Sequence, residues 1–191
     1  GLLLSSSSQQ ISSFDPDDPP AQKHLLEIKD LAVSFHSPRG RVAALDTVSM
    51  HIDQGEVVGL VGESGCGKSV CALSILGLLP TGPTTEISGQ IFFDGRNLLM
   101  LPPRKMRRSR GGEISMIFQE PLSALNPVLT IGNQVSEVSR AHECLSRSQA
   151  RKRAAEILTQ VGLSDPQRRL RQYPHELSGG MRPRVLIAIA L

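Results

Sequence analysis

The chain has 191 residues, of which 39% are hydrophobic, 20% charged and 3% aromatic. That length buries a substantial core in one domain of ordinary size, and it excludes a disulfide-stapled miniprotein, a collagen-like chain and a wholly disordered one. A net charge of +3, one Tyr, five Phe and no Trp leave too little basic and stacking character for a nucleic-acid binder.

Cys66, Cys71 and Cys144 are odd in number and lack paired spacing. They fit a reducing compartment better than a disulfide framework or a zinc site. No apolar run approaches the roughly 20 residues that cross a bilayer. Leu2-Leu3-Leu4 is too short for a signal-peptide core and lacks a basic lead. Gly1 stands where a Met would open a natural chain, so the expected start lies upstream.

Residues 1–23 carry a serine run and the stretch Asp15-Pro16-Asp17-Asp18-Pro19-Pro20. Such a stretch holds neither a helix nor a central strand, so a disordered tail is expected there. Structure is expected to begin near Leu25. Leu26, Ile28, Leu31, Val33 and Phe35 fall mostly at strand spacing. A turn at residues 36–40 separates them from a second strand region, Val42 to Ile52. After Gln54-Gly55, residues 56–61 (Glu-Val-Val-Gly-Leu-Val) read as a short strand buried on both faces of a parallel sheet.

A glycine-rich loop follows, and a helix is expected from Lys68 to Leu79, with Val70, Leu73, Leu76 and Gly77 on its apolar face and a stop near Pro80. Ile87 to Phe93 reads as a strand closed by the tight-turn pair Asp94-Gly95. Five of the seven residues from Arg104 to Arg110 are basic, which reads as a solvated helix face. Residues 113–118 read as another strand. From Thr130 the pattern turns helical, with Ala150, Ala154, Ile157, Leu158 and Val161 on one face and Gly162 as the stop. Val185 to Leu191 is nearly all apolar and reads as a buried helix.

Residues Gly62-Glu63-Ser64-Gly65-Cys66-Gly67-Lys68-Ser69 fit the phosphate-loop pattern G-x-x-x-x-G-K-[ST], with an apolar strand pattern before it and a helix pattern after it. Each residue type has a reason. Glycines let the backbone curl so that its N–H groups point at phosphate oxygens. The helix N-terminus adds positive partial charge. Lys68 places a cation on the β- and γ-phosphates, and Ser69 offers a hydroxyl to Mg²⁺. Glu63 and Cys66 contribute backbone donors, and Ser64 lies in the same binding loop. The loop alone leaves GTPases, small-molecule kinases, helicases and transport ATPases open. No Asn-Lys-x-Asp motif of a GTPase occurs.

Two later segments narrow the choice. Leu177-Ser178-Gly179-Gly180-Met181 resembles the signature motif of ATP-binding cassette (ABC) ATPases, and Phe118-Gln119-Glu120-Pro121 resembles their Q-loop. Residues 118–127 and 173–182 resemble in wording the dipeptide, oligopeptide and nickel importer branch. The resemblance implies an α/β fold: a P-loop core, an antiparallel β subdomain and a helical subdomain. It implies one ATPase domain over residues 24–191, with the helical subdomain at about 120–177. ATP and Mg²⁺ are the implied ligands, with Ser69 on the metal and Gln119 on the metal or the attacking water. Ser178, Gly179 and Gly180 would cap the γ-phosphate held by a second ATPase subunit, identical or not, in a head-to-tail dimer. Permease subunits would hold the assembly on the cytoplasmic face of the membrane, and hydrolysis would drive uptake of peptides or related solutes. Phe35 lies where the family places an aromatic against adenine; on pattern alone it reads equally as a strand core residue.

The chain departs from the family twice. Pro183 stands where the family has Gln, at a first-turn position that tolerates proline. The family also continues into an apolar strand ending in Asp-Glu and a later His, none of which is found by Leu191, so the expectation is an incomplete ATPase domain, cut before that strand. Phe92-Phe93-Asp94 superficially resembles such a strand end, but Asp94-Gly95 fits a hairpin turn. Two further readings are a nucleotide-binding module without turnover and a P-loop phosphotransferase. The latter leaves Leu177–Met181 unexplained.

Overall fold

A computed structural model of the chain describes residues 24–38, 40–80, 82–118 and 124–191. The tail expected at 1–23 lies outside these residues, as does Gln119. The described residues form two compact units. One runs up to Lys68 and includes Pro83–Asn97. The other holds Ser69–Gly82 and Leu98–Leu191.

The first unit is an antiparallel sheet of β1 (Leu26–Ser37), β2 (Gly40–Ile52), β3 (Thr85–Phe93) and β4 (Arg96–Asn97), in the order β2-β1-β3-β4. Leu26, Ile28, Leu31, Val33, Leu45 and Ile91 are its buried apolar side chains. The inward positions of β1 keep a period of two except between Ile28 and Leu31. There Lys29 lies opposite Gln90, but Ala32 lies opposite Ser88, so β1 carries one extra residue. Asp30 takes a φ of +49° at that point. The bulge returns Leu31 and Val33 to the core face after the slip. Asp94 (φ +45°) and Gly95 (φ +76°) form the β3–β4 turn, the double positive φ of a tight hairpin, as their sequence predicts.

The second unit is helical. It contains α1 (Lys68–Ile75, continuing from the last residue of the first unit), α2 (Pro103–Ser109), α3 (Ile131–His142), α4 (Arg147–Gln160), α5 (Pro166–Arg169) and α6 (Met181–Ala190). Side chains cap the starts. Thr130 accepts from the Asn133 N–H, and Ser146 and Gln149 form a reciprocal capping box on α4. Ala154, Ile157 and Leu158 of the predicted stripe join the core with Ile131, Val135, Leu170, Leu177 and Val185, and Val161 packs against it. Gly162 (φ +75°) ends α4 as predicted: its N–H donates to the Thr159 carbonyl (2.9 Å), and the Leu163 N–H donates to that of Leu158 (3.0 Å).

Four expectations are corrected. The helix after the loop stops at Ile75, not Leu79, because Gly77 is its terminator rather than a member of its apolar face. At φ +58° its N–H reaches the Ser74 carbonyl (3.0 Å), and the Leu78 N–H reaches that of Leu73 (2.9 Å). Residues 56–61 form no strand. A buried parallel strand needs ladder neighbours on both sides, and no described residue pairs with this segment; Val57 is 96% and Val61 90% exposed. Residues 113–118 likewise form no strand beyond a single bridge between Ile114 and Arg110. The last helix begins earlier, at Met181, accommodates Pro183 in its first turn, and buries Val185, Leu186 and Ala188 while leaving Ile187 exposed.

The bulge sets a prediction. Gly89 (φ +94°) faces it so closely that a Cβ would meet the backbone oxygens of Asp30 and Lys29, the latter at 2.6 Å. Gly89→Ala is expected to destabilise the chain by on the order of 3 kcal/mol, from the strained φ and the backbone clash together. A urea melt followed by circular dichroism reads this as a lowered midpoint; an unchanged midpoint rules out the tight crossing.

Candidate functional site

The loop from Gly62 to Lys68 is fixed to the sheet by a backbone contact. Gly67 is buried, and a Cβ there would lie 2.5 Å from the Ala44 carbonyl oxygen and 2.6 Å from Leu45 Cδ2 on β2. Gly67 (φ +92°) and Gly65 (φ +85°) take the left-handed backbone that the curl requires. Around Gly65 no atom comes within 4 Å of a Cβ position, which leaves open space on that side of the loop.

Lys68 curls back over the loop. Its Nζ donates to the carbonyls of Gly62 (2.6 Å) and Glu63 (2.6 Å) and to Cys66 Sγ (3.2 Å). The ammonium is thus held by the loop's own acceptors, where phosphate oxygens can replace them. Ser69 is exposed in the first turn of α1. This glycine-curled loop, with a cation at its centre and a hydroxyl at its exit, fits a phosphate chain with Mg²⁺. The exposed Cys66 thiol is lowered from its ordinary range, chiefly by the hydrogen bond from Lys68.

Phe35 is half-buried on β1, opposite Val42 on β2 and Thr85 on β3. Val42 stands two residues, about 7 Å along a strand, from Ala44, the residue against which Gly67 packs. Phe35 therefore belongs to the stretch of sheet that carries the loop.

In the second unit, Ser178, Gly179 and Gly180 are exposed at the start of α6. Leu177, 3% exposed, anchors them in the core. The Ser178 carbonyl accepts from the Met181 N–H (3.0 Å). No atom lies within 4 Å of a Cβ position at Gly179 or Gly180, so the chain's own packing does not require glycine there. Beside them Ser178, Gly180, Arg169 and Arg184 line a cleft of about 310 Å³.

The structure brings Gly62, Glu63 and Cys66 together around the Lys68 ammonium, with Gly67 seated on β2, and it presents Ser178–Gly180 on an exposed turn. Phe118 is 47% exposed and ends no strand. Two groups escape the sequence reading. Arg110, read there as part of a solvated face, caps α1: its Nε donates to the Leu76 carbonyl (2.6 Å) and its Nη2 to that of Gly77 (2.7 Å). Met106 and Ser109 of the same basic run are buried. Gln134 holds the turn at Asn126–Leu129, accepting from the Asn126 N–H (2.9 Å) and donating to the carbonyls of Asn126 and Leu129 (both 2.9 Å). A glycine after an apolar run and a buried amide in a helix were the available signals. His142 packs against Gly111 and Gly112, and His175 stacks on Tyr173.

Comparison with known proteins places this geometry. A family model described as ABC transporter matches residues 45–191. The peptidoglycan transport ATP-binding protein YejF of Agrobacterium fabrum is 52% identical over 167 residues, covering 87% of this chain and 31% of that protein. The oligopeptide transport ATP-binding protein OppD of Bacillus subtilis is 48% identical, covering 87% of this chain and 47% of that protein. The dimeric ATP-binding cassette MJ0796, bound to ADP and Pi, superposes with a TM-score of 0.73 at 30% identity, over 87% of this chain and 68% of that one. The chain spans about half, or less, of the length of the curated relatives it matches.

The Lys68–Cys66 contact predicts pH-dependent thiol chemistry. Lowering the thiol's pKa enlarges its thiolate fraction at every pH below the ordinary thiol range. Alkylation of Cys66 by iodoacetamide near neutral pH is expected to run several-fold faster in the natural chain than in Lys68→Met, followed by peptide mass spectrometry. Equal rates would show that the ammonium does not sit against the sulfur.

Proposed function

The chain belongs to the ABC transporter family, and from that membership we propose that it binds ATP with Mg²⁺ as the nucleotide-binding part of an importer for peptides or related solutes. The observation that carries this reading is the Lys68 ammonium held inside the Gly62–Cys66 curl. We assign residues 24–191 to one ATPase domain, with residues 120–177 approximately as its helical subdomain.

In this reading the backbone N–H groups of Gly62–Lys68 surround the phosphates. Lys68 trades the Gly62 and Glu63 carbonyls for β- and γ-phosphate oxygens. Glu63, Ser64 and Cys66 serve through their backbones. Ser69 and Gln119 hold Mg²⁺, which offsets phosphate charge when bound. Gln119 also orients the water that attacks the γ-phosphoryl group, and Phe35 stacks on the adenine. The position of Phe35 on the sheet that carries the loop supports its part.

Ser178, Gly179 and Gly180 act on the nucleotide of a second ATPase subunit. The empty space around both glycines supports this, because an outside surface can approach their backbone closely. The dimeric form of MJ0796 supports a paired arrangement. The names of the relatives, which speak of peptide and oligopeptide transport, support the class of solute. No described helix is long and apolar enough to cross a membrane. In this reading permease subunits hold the chain at the cytoplasmic face of the membrane.

Titration of the chain with a fluorescent ATP analogue and Mg²⁺ tests the reading. Lys68→Ala is expected to weaken binding about 10-fold or more, the loss of a charge-assisted contact. Unchanged affinity would reject the site. Binding without turnover in the complete protein would favour the nucleotide-binding module instead. Ser178→Arg is expected to leave the chain's own ATP affinity intact and to abolish ATP-dependent pairing on a sizing column. Pairing that survives Ser178→Arg would remove the signature turn from the interface.

A further inference from the structure

At one end of the β1–β2 pair, where Leu26 lies opposite Ile52, three side chains converge that the nucleotide reading does not use. His24 precedes β1, His51 is the penultimate residue of β2, and Asp53 follows it. His24 Nδ1 lies 2.6 Å from Asp53 Oδ1. The His51 ring stacks on that of His24 at 3.9 Å between centroids and 27° between planes. One ligand atom from each of the three lies within 4.8 Å of the others.

Asp53 is held ready by its own turn. The Glu56 N–H donates to the Asp53 carbonyl (3.1 Å), the Asp53 N–H donates to the Glu56 carboxylate (2.7 Å), and Gly55 supplies the positive φ of +78° between them. The antiparallel register then brings His24 to this turn. The side chains of His24 and Asp53 are 18% and 43% exposed, so solvent reaches the cluster while the sheet end supports it.

Two imidazole nitrogens and a carboxylate form the donor set of borderline divalent cations. Mg²⁺ and Ca²⁺ favour all-oxygen shells. Tetrahedral ligation at about 2.0–2.1 Å separates ligand atoms by about 3.3 Å. The present separations run from 2.6 Å to at most 4.8 Å and bracket that value. Entry of an ion requires the His24–Asp53 contact to lengthen and the His51 ring to turn off its stack. Both are movements of side-chain rotamers on a fixed backbone.

We propose that His24, His51 and Asp53 form a zinc-class divalent metal site that fastens the residue entering β1 to the end of β2. Water completes the coordination shell. The site is independent of the phosphate loop, and its ligands are 27 residues or more apart except for His51 and Asp53, so the register of the sheet rather than a sequence motif assembles it.

The test uses the full chain carrying Cys66→Ser and Cys144→Ser, since both exposed thiols would otherwise take zinc. Calorimetric titration with Zn²⁺ is expected to show saturable binding of one equivalent that excess Mg²⁺ does not displace. His51→Ala and Asp53→Asn are expected to weaken it at least about tenfold, as loss of a ligand should, while His36→Ala leaves it unchanged. A readout that needs no variant at the site is the histidine ring-proton NMR spectrum. Zinc is expected to shift the signals of His24 and His51 and to leave those of His36 and His175 in place. The proposal fails if no saturable binding appears, if His51→Ala binds as well as its parent, or if zinc shifts all the histidines alike.

Discussion

The phosphate loop depends on one close backbone approach. Gly67 rests against Ala44 and Leu45 with no room for a methyl group. Leu45 is itself buried opposite Val33 on the central strand, so the core of the sheet fixes β2, and β2 fixes the loop. Lys68 follows directly in the chain, and its ammonium can reach the Gly62 and Glu63 carbonyls only because the curl ends at that point. Apolar burial in the sheet therefore decides where a charge is held.

Much of the fold was legible because the sequence states it locally. The inward alternation of β1, the Asp94-Gly95 turn, the stripe from Ala150 to Val161 and the Gly162 stop each depend on a few adjacent residues. The glycine curl of residues 62–67 was legible for the same reason. What the sequence hides depends on distant partners. Residues 56–61 look like a buried strand, yet burial is set by what pairs with them, and no described residue does. Gly77 looks like one small member of an apolar face because its φ cannot be read from neighbouring hydrophobicity. Arg110 looks like one charge among five because its acceptors lie more than 30 residues earlier. His24 and His51 share no motif spacing, and only the strand register joins them.

A recurrent device ends two helices of the second unit. Gly77 closes α1 and Gly162 closes α4, each in a left-handed conformation. Each also leaves space for a guanidinium. Arg110 reaches the Gly77 carbonyl at 2.7 Å, and Arg184 reaches that of Gly162 at 2.8 Å. A Cβ on these glycines would lie 3.2 Å and 3.0 Å from the respective arginine nitrogens. The glycine thus does two jobs: it permits the reversal and admits the cation that neutralises the exposed carbonyls and the negative helix end. Some of the chain's positive charge therefore also serves its own helix ends.

The segment Glu56–Val61 carries a further consequence. It is short, β-branched and free of proline, with one acidic residue and four valines and leucines open to water at Val57, Val58, Leu60 and Val61. Such a segment offers unpaired backbone donors and acceptors to any strand that meets it. Association of the isolated chain with itself through these residues is the expected consequence, and it would rise with concentration.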